Sequence, residues 1–338
     1  MLADVSSSVR FQRWFPYFQH VFSNTSETVC NASLQAYLAD HLHYETRTCY
    51  LQLDCMLANT RESTKAHLSA AAVILGLTPT LLSAMGPSIT ELALLSSKRP
   101  ILSFLIAMGS PAICPNRLLD AQDPYENIRY KPGAVAVPAP SGIWAFVLSA
   151  LEYVLVMGCI ANIIQTSFDL GDKTILVWAC NAGFTPLAWS LAPAVIHLAV
   201  YIPINCSIPI RSPHLRSRAK QADAIGSIKS RTSGPLHISE HRLPFWRRET
   251  TLFANQPDID PHLKVGNKIV IFVNLGVILG ILHVLVGTVI FSSLTFISVI
   301  DSFTVIVRYG VSAAVCRFIL VMEFASMKHK DKGSENSR

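Results

Sequence analysis

Residues 174–210 run for 37 positions without an Asp, Glu, Lys or Arg, and residues 269–300 do so for another 32. A helix rises about 1.5 Å per residue, so about 20 apolar residues cross the roughly 30 Å hydrocarbon layer of a bilayer. The same criterion along the whole chain predicts five spans: residues 66–86, 143–165, 174–201, 269–294 and 302–324. A further apolar stretch, residues 101–113, is too short to cross alone. Together with the helix-like piece 88–97 before it, it predicts a re-entrant or interface-lying hairpin. The expected fold class is all-α: a polytopic helical membrane protein of about five spans plus this hairpin.

Composition agrees with that reading. Hydrophobic residues make up 51% of the chain and charged ones 15%, against about 25% charged in an ordinary soluble domain. The net charge of +6 does not imply nucleic acid, because the positions of the cations explain it. Cytoplasmic loops are enriched in Lys and Arg. The connection 202–268 holds eleven of them, and Lys98, Arg99, Arg117, Arg129 and Lys131 fall between the first two spans. The tail adds Lys328, Lys330 and Lys332, whereas the short loop 166–173 carries Asp169 and Asp172 with one Lys. Five spans with the N-terminus outside and the C-terminus cytoplasmic satisfy all of these. The chain then divides into an outer segment 1–65, and a first span with hairpin and cytoplasmic loop, 66–142. The second and third spans (143–201), a basic cytoplasmic connection (202–268), the fourth and fifth spans (269–327) and a tail (328–338) follow. Residues 1–23 lack the continuous apolar region of a cleavable signal, so the first span is expected to export the segment before it.

Two features fit an outer N-terminal segment. Asn24-Thr25-Ser26 and Asn31-Ala32-Ser33 are acceptors for N-glycosylation; a third triplet, at Asn205, falls on the cytoplasmic side and is read as accidental. Cys30, Cys49 and Cys55 lie where disulfides form, with Cys49–Cys55 the favoured bridge and Cys30 left single or paired between chains. Cys114, Cys159, Cys180 and Cys316 are read as small buried hydrophobes in or near the bilayer.

Ionisable groups inside spans are functional suspects. Counted from the inner ends, Glu152 lies roughly 13 Å deep and Arg317 roughly 12 Å deep, which predicts an ion pair between them, either as a helix staple or as part of a transport path. Asn181, His283 and Arg308 come out at comparable outer depths. They either line a small hydrated pocket or hydrogen-bond across helix contacts. The histidines lack metal-ligand spacing, so neither a metal nor another cofactor is expected. Gly276, Gly280 and Gly287 give one face of the fourth span small residues for close packing. Pro79, Pro186 and Pro193 are expected to kink their helices. The basic run 211–248 is expected to lie against anionic lipids, with Pro244-Phe245-Trp246-Arg247-Arg248 as an interface anchor.

The segments Gly76-Leu-Thr-Pro-Thr-Leu-Leu-Ser83, Gly86-Pro-Ser-Ile-Thr-Glu91 continuing to Arg99-Pro, and Gly109-Ser-Pro-Ala112 resemble a group of uncharacterised fungal multi-span membrane proteins. So does Asp301-Ser-Phe-Thr-Val-Ile-Val-Arg308 with Cys316-Arg317. The resemblance covers about a third of the chain and implies a similar architecture without an activity. It draws attention to Glu91, otherwise read as a carboxylate capping a helix N-terminus. No catalytic motif is present, so the chain is expected not to be an enzyme. The expectation is a glycosylated multi-pass protein of the plasma membrane or secretory pathway, acting as a sensor or scaffold. The alternative is a small-solute or ion transporter using Glu152 and Arg317. The bilayer is the expected partner, with no nucleic acid; the sequence names no protein partner.

Overall fold

The computed structural model describes residues 10–40, 46–114, 143–207, 249 and 267–335. Ten α-helices appear among them. Helices α1 (Gln19–Asn24), α2 (Asn31–Asp40) and α3 (Thr46–Ala58) form a cap over one end. The bundle consists of α4 (Glu62–Met85), α5 (Ile89–Lys98), α6 (Pro100–Gly109), α7 (Ile143–Lys173), α8 (Thr185–Ser207), α9 (Asn267–Ser292) and α10 (Val299–Glu335). Five of these, α4 and α7 to α10, are long and apolar enough to cross a membrane. Their outward faces are apolar as well: Leu77 and Leu81 on α4, Leu285 and Val289 on α9, and Phe303, Val307 and Phe318 on α10 are all exposed. Apolar area on that scale faces lipid rather than water. This is a helical, multi-pass membrane protein.

Helix α4 does not lead into a surface loop but is followed, within the bundle, by a break and a second helix. Near the capped end α4 passes the end of α9, Gly76 lying against Ser292. The α-helix then stops at Met85, and Gly86 and Ser88 take extended backbone. A Cβ at Gly86 would stand 2.3 Å from the Ala112 carbonyl oxygen, so this close approach requires glycine. The chain re-forms as α5, with Ile89 against Gly276 of α9. It turns at Arg99 and comes back as α6, which ends at Gly109 between Cys159 of α7 and Cys316 of α10. Strand-like backbone then runs beside the break: Cys114 N donates to the Pro87 carbonyl at 2.9 Å, and Ser88 bridges Cys114. Because α6 returns only partway, the hairpin has re-entrant geometry. Leu92, Leu95, Leu102 and Ile106 are fully buried, so it is packed inside the bundle rather than lying on its surface.

Two boundaries differ markedly from those expected. Residues 166–173, read as an outer loop, continue α7, and the third long helix begins at Thr185 rather than at residue 174. Between them a turn carries β1 (Ile175–Leu176), which pairs antiparallel with β2 (Leu294–Thr295). The turn contains no charged residue, so a charge-free run could not reveal it. Pro186 consequently sits in the first turn of α8, where proline is tolerated, and is not a kink.

The cap is tied down covalently. Cys30 bonds Cys55 and Cys49 bonds Cys180, in place of the favoured Cys49–Cys55 bridge. The turn between α7 and α8 brings Cys180 out of the apolar run and up to α3. Phe11, Trp14, Phe22, Tyr37 and Phe296 form the aromatic filling, with Trp14 stacking edge-on against Phe296 at 5.2 Å. Arg10 reaches through it to the Cys180 carbonyl at 2.8 Å, and burial pushes its guanidinium below the usual arginine range.

Candidate functional site

Arg99, at the tip of the α5–α6 hairpin, is fully buried. Its Nη1 donates to Glu152 Oε2 of α7 at 2.7 Å and also to Glu323 Oε1 of α10. Its Nη2 donates to Ser149 Oγ at 2.6 Å, and its guanidinium lies 5.6 Å from the Tyr153 ring centre. Glu249 completes the cluster from the long connection. Its carboxylate accepts from Ile101 N at 2.9 Å and from the Tyr153 hydroxyl at 2.6 Å. The first contact places a negative charge at the N-terminus of α6, where the helix dipole favours it. The hairpin, α7 and α10 thus meet on one arginine, and the connection bonds the residues around it.

A second ion pair lies one level up. Glu91 accepts from Arg317 through Oε2 and from Ser88 N at 3.0 Å, while Ser88 Oγ accepts from Glu91 N at 3.2 Å. This capping box satisfies the first donors of α5 inside the bundle, beside the break. On the opposite side of the hairpin Ser103 Oγ lies 3.3 Å from His197 Nε2 of α8.

From these charges a polar seam follows the α7–α10 interface toward the cap. Cys159 and Cys316 are both buried and flank Gly109. Asn162 donates to Ser312 Oγ at 2.8 Å and to the Arg308 carbonyl at 2.7 Å. Ser167 Oγ lies 2.8 Å from the Tyr309 hydroxyl and donates to Ser190 Oγ of α8 at the same distance. Asp169 pairs with Arg308 at 3.6 Å, and Asp172 with Arg13 of the cap at 3.4 Å.

The structure re-sorts the residues singled out by sequence. Glu152 and Arg317 do not pair with each other: Glu152 holds Arg99 and Arg317 holds Glu91. Contacts along α7 and α10 set Glu152 level with Glu323, and Arg317 lies six residues, about 9 Å, nearer the cap. Depths counted from the ends of apolar runs missed this because the two runs do not end at a common plane. Arg99, counted as a loop cation, is the best-buried charge of the cluster. Asn181, His283 and Arg308 do not form a layer. Asn181 sits in the turn before α8, and Arg308 bonds Asn162 and Asp169. His283 Nε2 donates to the Trp189 carbonyl at 2.9 Å while Trp189 Nε1 donates to the His283 carbonyl at 2.9 Å, the two rings stacked at 4.8 Å. Asn24 and Asn31 are exposed on the cap. The basic run 211–248 lies outside the described residues.

Sequence reasoning passed over Glu323 and the seam, although a signal was present. Glu152, Cys159 and Thr166 recur every seven residues on α7, and Tyr309, Cys316 and Glu323 do so on α10. All six are buried. Two polar series at heptad spacing mark a polar face between two antiparallel helices. No family model matches the chain, and neither a curated protein nor a solved structure matches it.

Proposed function

We propose that the protein is a small-solute or ion transporter whose pathway runs past the break between α4 and α5 and the Arg99 cluster. The observation that carries this is the break itself. Non-helical backbone inside a membrane bundle is tolerated where protein buries it or where it lines a cavity, and discontinuous helices hold the substrate sites of many transporters. Here the break, residues 86–88, lies beside residues 110–114, the extended stretch that follows α6, with the Glu91–Arg317 pair at its edge. Charged groups within a bundle are costly and mark ion or substrate paths by default.

The test is water access. In a chain with Cys114, Cys159, Cys206 and Cys316 replaced by Ala, Ser110→Cys and Ser88→Cys should react with a small water-soluble thiol reagent in intact membranes. Failure of both to react while the detergent-solubilised, unfolded chain reacts would mean a sealed core, and would overturn the transport reading.

A second reading, a surface sensor or scaffold, is favoured by the disulfide-tied cap, which presents a folded surface beyond the bundle. Both readings take the cap as outside, at the plasma membrane or in the secretory pathway. Two disulfides need an oxidising compartment, and the cationic connection and tail favour the opposite, cytoplasmic side. On this orientation Asn24 and Asn31 carry glycans, so glycosidase treatment should shift the protein's mobility. The shift should vanish in the Asn24→Gln/Asn31→Gln double variant. Unchanged mobility together with protection of the cap from external protease would reverse the orientation.

A further inference from the structure

Beside the cap, the start of α4 borders an open groove of about 320 Å³. Its lining is apolar at Leu57, Leu68 and Leu294 and polar at Lys65, Ser69 and Ser292. The volume falls at the lower end of the range of small-molecule sites, about 300–1,000 Å³. Two bonds hold the adjoining turn. Val177 N donates to the Ser293 carbonyl at 3.2 Å, and Trp178 Nε1 donates to Ser293 Oγ at 2.8 Å. Trp178 is exposed, and an exposed indole on an apolar bundle belongs at the boundary between hydrocarbon and water. The groove therefore lies at the interfacial level of the cap-side leaflet.

From the groove two apolar rows run into the bilayer. On α4, Val73, Leu77 and Leu81 follow Ser69 at four-residue intervals. On α9, Val289, Leu285 and Leu282 precede Ser292 at intervals of three and four residues. Such spacing keeps each row on one helix face. All six residues are exposed, and the two helices pack together where Gly76 meets Ser292.

The charges at the top of α4 come in a definite order. Glu62 opens the helix; Lys65 lies roughly 4.5 Å deeper along the axis, and Ser69 roughly 6 Å deeper again. Lys65 Nζ donates to Glu62 Oε1 at 2.7 Å, and both side chains stay open to solvent. Arg61 is exposed too but does not line the groove. The hydroxyls of Ser69 and Ser292 turn onto carbonyls of their own helices at 3.0 and 3.3 Å, and a hydroxyl rotates readily to serve another acceptor. Read inward, the surface presents an anion, a cation, hydroxyls and then hydrocarbon. A zwitterionic phospholipid presents an ammonium, a phosphate, esters and then acyl chains. The two series complement each other at every level.

We propose that this groove binds one zwitterionic phospholipid of the cap-side leaflet. Its phosphate sits on Lys65, its ammonium group on Glu62 and its acyl chains along the α4–α9 rows. The site does not depend on the transport reading.

The experiment places the full chain in mixed phosphatidylcholine–phosphatidylglycerol vesicles with a trace of phosphatidylcholine bearing a photoreactive acyl chain. Labelled residues are then mapped by peptide mass spectrometry. Phe303, Val307 and Phe318, on the exposed face of α10, report contact with bulk lipid. Labelling of Val73, Leu77, Leu285 and Val289 should exceed that reference by roughly threefold to tenfold, which is what two exposed charge contacts supply. The excess should persist in Lys65→Arg and disappear in Glu62→Lys/Lys65→Glu, which keeps the net charge but reverses its order. Equal labelling of the two surfaces in the wild-type protein would mean bulk lipid only and overturn the site. An excess that survives the charge reversal, or that is lost in both variants, overturns recognition by charge order. An equal excess with photoreactive phosphatidylglycerol, which has no ammonium group, overturns the choice of a zwitterionic ligand.

Discussion

Gly287 has a single task, which is to make room. A Cβ there would lie 2.3 Å from Trp189 Nε1, and the indole is held in place by its reciprocal bonds with His283. Gly287→Ala should therefore lower stability by about 1–3 kcal/mol, the usual effect of overfilling a packed site. Thermal unfolding in detergent measures it, and an unchanged midpoint would mean that the ring moves freely. The sequence pointed to this glycine as one of three small residues on a helix face, but not to its partner. His283 was likewise visible as a polar residue within an apolar run. That it bonds a neighbouring backbone instead of lining a pocket follows from the position of Trp189, which periodicity does not encode.

At the scale of elements, length and apolarity predicted the long helices well because those properties are local. The four long helices α4, α7, α9 and α10 contain the expected spans 66–86, 143–165, 269–294 and 302–324 nearly end to end. The misses share one cause: each depends on what another element does. The turn before α8 has no charge to betray it and is pinned by its pairing to β2 and by the bond from Cys180 to Cys49. The hairpin was legible as too short to span, whereas its burial depends on α7, α8 and α10 surrounding it. Arg99 read as a topology signal because a cation beside a span normally is one. Here the hairpin carries it between two helices, each with an acidic side chain at the same level. Glu249 was lost among eleven cations, although its carboxylate closes the cluster from the connection.

Across the whole molecule the design has two ends. At one, the Cys49–Cys180 disulfide, aromatic rings and Arg10 fasten to the bundle a cap of short helices that Cys30–Cys55 closes internally. At the other, a single arginine fastens the hairpin to α7 and α10 with no covalent link, in a place where charge is expensive. The polar seam on the α7–α10 interface runs between them. The covalent end has the character of a fixed platform, and the ionic end is held by charged and hydrogen-bonded side chains. The account stands on that ionic junction being a mutually dependent unit. Its most direct test compares the thermal stability of the wild-type chain with Arg99→Met and with Arg99→Met/Glu152→Gln/Glu323→Gln. Removing the arginine alone strands two carboxyl groups and should cost about 3–5 kcal/mol, whereas removing all three charges should recover most of that loss. An Arg99→Met protein as stable as wild type, or a triple variant no better than the single one, would contradict the account.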